Sequence, residues 1–305
     1  MVLRIAFMGT PDFSVPSLLR AAENFSVVGV ISQPDRRSGR GRQLLSPPVV
    51  KTARDLGLVV FQPNDVNTPS SLETIRGWNA DLICVAAFGQ LLRTDLLNLP
   101  KGGCLNVHAS LLPRWRGASP INAAILAGDP LSGVTIMKMG PGLDDGPILA
   151  QDTIPIGPND TAGMLSDRLA ELGGDLLLRT IPPYMEGEII PKPQDPEQAT
   201  YARALKKENG ELDFNQPAFN LSRMVRAYSP WPGTFTTWEG KRLLVHRTST
   251  SPVTSPGVGV FIQYKGRPAI GTKEGILILE ELQLAGKKSV SGEEFLNGLP
   301  RWGKS

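Results

Sequence analysis

"LRIAFMGTPDFSVPSLLRAAENFSVVGVIS" (residues 3–32) decides the fold class. "LRIAFMG" is a short, almost uninterrupted apolar run, as is "FSVVGVIS", while "SVPSLLRAAE" between them has a serine start, an early proline and helical apolar spacing. Strand, helix, strand in 30 residues, with strands apolar on both faces, is the unit of a parallel sheet covered by helices on both sides. The pattern continues. "SPPVVKTARDLG" (46–57) and "SPINAAILAGD" (119–129) open on Ser-Pro and stop at Gly, so both are short helices with marked ends. "LVVFQ" (58–62), "ADLICVAAF" (80–88), "GGCLNVHAS" (102–110), "SGVTIMKM" (132–139) and "GPILAQDTIPI" (146–156) are strands. A helix starts near "NTPSSLETIRGW" (67–78), and residues 160–187 form one long closing helix. The expectation is an α/β domain over residues 1–187: a doubly wound, Rossmann-like, mostly parallel sheet.

The chain has 305 residues, more than a single core usually serves, so two domains are expected. "EIIPKPQDPEQAT" (188–200) is rich in proline and polar residues, and a linker over 188–204 is expected. Beyond it, "PAFNLSRMVRAYS" (217–229) is a helix, and five strand-like runs between 233 and 284 suggest a small barrel of the OB kind over 205–305. From Leu205 onward 14 Lys and Arg stand against 9 Asp and Glu, whereas the rest holds 18 against 20. A basic C-terminal domain beside a near-neutral partner suggests contact with a polyanion.

Several classes lose ground on residues alone. The turn after the first strand, "MGTPDFSVP", holds Gly9 alone and no G-x-G-x-x-G, which argues against a nicotinamide enzyme. Two cysteines in apolar runs, Cys84 and Cys104, and two separated histidines make no metal-ligand cluster, so no metal is expected. No apolar run approaches the roughly 20 residues of a membrane span, and "MVLRIAFMGTPDF" enters a strand without a signal-peptide pattern, so a cytoplasmic protein is expected. Nothing demands more than a monomer.

"CLNVHASLLPRWRGASPI" (104–121) concentrates the chemistry. In a strand, residues two apart share a face, so Asn106 and His108 emerge together while Leu105 and Val107 point into apolar packing. An amide donor beside an imidazole suits acyl transfer through a tetrahedral intermediate; a histidine merely satisfied at a strand end fits the same residues. "KMGPGLDDGPIL" (138–149) adds Asp144 and Asp145 in a Gly-rich loop, where a carboxylate can orient the imidazole, although paired aspartates also form plain turns. No G-x-S-x-G elbow supplies a nucleophile, so the attacking group belongs to the acceptor. An α-amino group, pKa of roughly 8, suits that role.

"NVHASLLPRWRGASPINAAILAGD" together with "GLDDGPIL" resembles the formyltransferases that use 10-formyltetrahydrofolate, and "MGTPDFSVPSL" with "QPDRRSGRGRQLLSPPVV" narrows the resemblance to the methionyl-tRNA formyltransferase family. It covers nearly the whole chain, weakening after about Gly240. The resemblance implies Asn106, His108 and Asp144 as catalytic residues. It implies Ser110, Leu111, Leu112 and Pro113 as folate contacts, with the loop holding Phe88, Gly89 and Leu91 lining the pterin pocket. Formyltetrahydrofolate would be a cosubstrate and charged initiator tRNA the acceptor. Arg36, Arg37, Arg40 and Arg42, within seven residues of "PDRRSGRGR", would hold tRNA phosphates, an assignment their clustered guanidiniums support without the resemblance. Arg114, Trp115 and Arg116 touch folate or RNA or pack the loop by a cation–π contact, with packing favoured. Rival readings are another formyltetrahydrofolate-dependent formyltransferase or hydrolase, acting on a nucleotide sugar or ribonucleotide, and a catalytically silent RNA-binding module.

Overall fold

The computed structural model describes residues 2–38, 43–298 and 302–303. The chain divides into two compact units, one of Met1–Pro120, Leu131–Pro155 and Ser166–Ala202, the other of Ile121–Pro130, Ile156–Leu165 and Arg203–Ser305. Two short stretches of the first 187 residues thus group with the second unit. The proline-rich segment groups with the first through Ala202.

In chain order the first elements are β1 (Arg4–Gly9), α1 (Val15–Asn24), β2 (Ser26–Ile31), β3 (Arg36–Ser38), β4 (Gln43–Leu45), α2 (Pro48–Asp55), β5 (Val60–Phe61), α3 (Pro69–Gly77) and β6 (Leu82–Ala86). There follow α4 (Thr94–Leu97), β7 (Cys104–His108), β8 (Arg116–Gly117), α5 (Pro120–Ala127), β9 (Leu131–Lys138), β10 (Ile148–Pro155), α6 (Ala162–Met185) and β11 (Tyr201–Ala202). The rest of the chain supplies α7 (Ala218–Ala227), β12 (Thr234–Trp238), β13 (Lys241–Ser251), β14 (Phe261–Tyr264), β15 (Arg267–Gly271), β16 (Ile276–Leu284), β17 (Val290–Ser291) and α8 (Gly292–Gly298).

In the first unit the opening apolar runs form β1 and β2, paired in parallel, inside a seven-stranded sheet of order β10-β9-β7-β6-β1-β2-β5. The five strands from β7 to β5 are parallel, and β9 and β10 add an antiparallel edge. One face carries a core that includes Ala6, Met8, Ile83, Val85 and Cys104, closed by Ile75, Leu96 and Leu97 of α3 and α4. The other face receives α6. Gly173 lets that helix approach, since a Cβ there would stand 2.6 Å from Val107 of β7. Val107 therefore faces α6, so Cys104, Asn106 and His108 share the opposite face, the first closing the apolar row and the next two extending it with polar groups.

Cys84 and Cys104 are free and buried, as apolar-run thiols should be. Burial pushes the Cys104 thiol up to about 12 and raises Cys84 as well, so both act as small apolar groups.

The second unit is built on an antiparallel sheet of order β12-β13-β16-β15-β14, with β17 added beside β16. Among the described residues its end strands do not pair with each other, so the closed OB-like barrel suggested by five short strands is not formed. Short strands with turns specify antiparallel pairing, but closure depends on shear and tilt that composition does not carry. Helix α7 packs on β13 and β16, and a cluster of Trp238, Phe261, Phe295 and the fully buried Trp302 fills one end. His246 sits exposed on β13, its Nε2 3.2 Å from Gln283 Oε1.

Candidate active site

Strand β7 ends the site's first wall. It pairs with β6 on one side and β9 on the other, bringing His108 opposite Thr135 and Asn106 opposite Met137. Both polar residues are buried, and among the described residues no protein group hydrogen-bonds the Asn106 side chain. An amide without a protein partner, on a nearly buried residue, is suited to a ligand.

His108 is held from two sides. Its Nε2 lies 3.0 Å from the Trp115 carbonyl, which can only accept, so that nitrogen carries hydrogen. Its Nδ1 faces Asp144 Oδ2 at 3.7 Å, beyond direct hydrogen-bond range and within that of an ion pair. Asp144 Oδ2 in turn accepts the Gly117 amide at 2.8 Å. Asp144 sits in the left-handed region, with φ 48°, between β9 and β10. Asp145 is exposed and its carboxylate folds back over Gly142. Only the first of the two aspartates belongs to the site.

The run after β7 is fastened by side chains that sequence patterns do not single out. Thr135 Oγ1 on β9 donates to the Ser110 carbonyl (2.6 Å) and accepts from the Leu112 amide (3.1 Å), while Gln151 Nε2 on β10 reaches both the Leu112 carbonyl and Thr135 Oγ1 at 2.9 Å. Ser110 Oγ donates to the Arg114 carbonyl at 2.6 Å, and a cis peptide joins Leu112 to Pro113. Ser110 and Leu112 are buried, so their side chains hold the loop, and Leu111 and Pro113 keep partial exposure. The Arg114 guanidinium stands 4.3 Å from the centroid of the Trp115 ring, the packing arrangement favoured for this pair. Arg116 is buried against Gln194, and Gly117, with φ 110°, passes so close to the Ala202 carbonyl that a Cβ would stand 2.6 Å from it.

Beside this wall, at the carboxyl ends of β1, β2 and β6, lies a cleft of about 650 Å3 lined by Thr10, Asp12, Gln33, Arg36 and Lys51, with Phe88 and Gly89 at its edge. Phe88 contributes backbone: its side chain is in the core, and its carbonyl accepts Thr10 Oγ1 at 2.8 Å and Gln33 Nε2 at 3.3 Å. Leu91 is exposed, its carbonyl bonded to Asn67 Nδ2. Arg36 begins β3 and donates to Gln33 Oε1 at 3.2 Å. Arg40, Arg42 and the side chain of Arg37 lie outside the described residues. The arginine run is anchored at its base by Asp35, whose carboxylate accepts Gln62 Nε2 (2.7 Å) and Ser46 Oγ (2.9 Å) and is held below its ordinary pKa by those two bonds. Lys51 of α2 escaped sequence reading; its only signal was its place just after that run.

Among the described residues no group of three or more His, Cys, Asp or Glu is disposed to hold a metal ion, and no helix is long and apolar enough to cross a membrane.

A mostly parallel open sheet places this constellation of amide, imidazole and carboxylate beyond its strand ends, and residues 3–181 match the formyl transferase family while 204–300 match its C-terminal domain, which makes the chain a group-transfer enzyme. The chain belongs to the methionyl-tRNA formyltransferase family. Methionyl-tRNA formyltransferase of Chloroflexus aggregans is 42% identical over 301 residues, 97% of each chain, and that of Myxococcus xanthus is 43% identical over 295 residues, 97% of this chain and 95% of the relative. Among solved structures, WlaRD, a sugar 3N-formyl transferase in the presence of dTDP and 5-N-formyl-THF, superposes with a TM-score of 0.68 over 94% of this chain and 100% of its own, at 19% identity, a likeness of fold.

Proposed function

We propose that this transferase moves the formyl group of 10-formyltetrahydrofolate onto the α-amino group of methionyl initiator tRNA, for translation initiation in the cytoplasm, and that it works as a monomer without a metal. The observation that carries this reading is the approach of His108 to Asp144, with Asn106 on the same strand face, in a chain 42% identical, over 97% of its length, to a methionyl-tRNA formyltransferase. The folate part is supported by the folate named with WlaRD, whose fold this chain shares.

In this reading the methionyl amine attacks the formyl carbon, a C–N bond forms as the bond to folate N10 breaks, the amine loses a proton and N10 gains one. Negative charge develops on the formyl oxygen. Asn106 and protonated His108 donate to it; with Nε2–H given to the Trp115 carbonyl, the cationic ring turns its Nδ1–H to the oxygen. Asp144 orients the ring and takes part in removing the amine proton. The loop 110–113 and the backbone of 86–92 hold the folate. Arg36, with Arg37, Arg40 and Arg42 and the basic second unit, holds tRNA phosphates.

The test is a formylation assay offering charged initiator tRNA, glycinamide ribonucleotide and water as acceptors. Rapid reaction of the tRNA alone is expected; faster consumption of formyl donor with either of the others would overturn the acceptor assignment.

A further inference from the structure

The proline-rich segment after α6 reads as a tether, yet it touches the candidate site more closely than most of the sheet does. Lys192 pairs with Ile148 in an antiparallel bridge, N to O 2.8 Å in both directions, at the start of β10. Thr200 Oγ1 accepts the Trp115 amide at 2.9 Å and its carbonyl accepts the Arg116 amide at 2.8 Å. Between these two attachments stands Gln194. Its Nε2 donates to the carbonyls of Asp144 (2.9 Å) and Gly146 (2.7 Å), and its Oε1 accepts from Arg116 Nε (3.0 Å) and Nη2 (2.8 Å). Both amide hydrogens and both carbonyl lone pairs are thereby used.

The residues so joined are those whose relative placement the chemistry needs. Asp144 is a non-glycine residue in the left-handed region, a conformation that persists only where its surroundings fix it. Gly117, directly after Arg116, supplies the amide that its carboxylate accepts. Trp115, directly before Arg116, supplies the carbonyl that holds His108. One side-chain amide therefore ties the loop of the carboxylate to the loop that fixes the imidazole.

We propose that Gln194 is a positioning residue, clamping the Asp144 loop to the Trp115–Gly117 segment that holds the His108 ring, so that carboxylate and ring meet at the distance the transfer requires. This rests on the function proposed above for its assay and on the hydrogen bonds alone for its structure.

Three variants of the full chain separate the clamp from plain scaffolding. Gln194→Met keeps length and loses every hydrogen bond. Gln194→Glu keeps, and strengthens, the attachment to Arg116 but has no hydrogen to give the two carbonyls. Asp144→Asn removes the group on which the clamp acts. In steady-state formylation of charged initiator tRNA, both Gln194 variants are expected to lower kcat about 10- to 100-fold while KM for donor and acceptor stays within about threefold. Gln194→Met placed on Asp144→Asn is expected to add no further loss, since residues acting as a unit are not additive. Wild-type kcat in Gln194→Glu, or losses that multiply in the double variant, would overturn the proposal. Hydrogen exchange of peptides covering 140–147 reads the clamp without turnover: faster exchange in Gln194→Glu is expected, and unchanged exchange contradicts it. A wild-type chain that leaves tRNA unformylated while the exchange result holds would sink the function and spare the clamp.

Discussion

Asn106 is the simplest residue to reason about, because it lies on the same strand face as His108, is nearly buried, and its amide makes no hydrogen bond among the described residues. A donor kept free of protein partners is available to charge that appears only as the transition state forms. Asn106→Ala should therefore lower kcat by about 10²- to 10³-fold, the usual loss for one oxyanion donor, with little change in thermal melting. Rates within fivefold of wild type would place the stabilising donor elsewhere. The choice between the two aspartates is also made at this scale. Spacing shows "DD" as a pair; the resemblance picks Asp144, and the turn geometry, with Asp144 at φ 48° and Asp145 exposed, turns that carboxylate to the imidazole.

The elements that build the site differ in how plainly their residues announce them. Strand β7 was legible because a two-residue period puts Asn106 and His108 on one face whatever surrounds the strand. The β3–β4 pair within the arginine run was not, since "RRSGRGRQLL" has no apolar alternation to mark it. Helix α8 and β17 were missed although "SGEE" carries a start signal: Ser291 Oγ accepts the Glu294 amide at 3.3 Å while Glu294 Oε2 accepts the Ser291 amide at 2.9 Å, a capping box. Partners far apart in sequence leave no such mark. Thr135 reads as one more strand threonine, yet it carries the Ser110 and Leu112 backbone and the Gln151 amide at once. Thr135→Val should leave these buried groups unpaired, lower stability by about 2–3 kcal/mol and raise KM for the folate donor more than KM for tRNA. Denaturant unfolding and steady-state kinetics check both parts; unaltered stability with unaltered donor KM would show that the loop is held by other bonds.

For the whole molecule, two features of the sequence carried most of the architecture: alternation of strands with helices through residue 187, and the change to short strands beyond the prolines. What composition left out is that the second sheet stays open among the described residues and that residues 188–202 attach to the first unit's site, the latter through pairings dozens of positions apart. "PKPQDPEQAT" has the make-up of a spacer, and its bonds to the site are invisible until Asp144 and Arg116 are placed beside it. The account as a whole rests on the convergence of His108, at the end of β7, and Asp144, in the loop between β9 and β10. The most direct measurement is the single-turnover rate of formylmethionyl-tRNA formation by folded His108→Ala and Asp144→Ala beside wild type: losses of about 10²-fold or more in each are predicted, and a near-normal rate in either would contradict the assignment of this constellation as the catalytic centre.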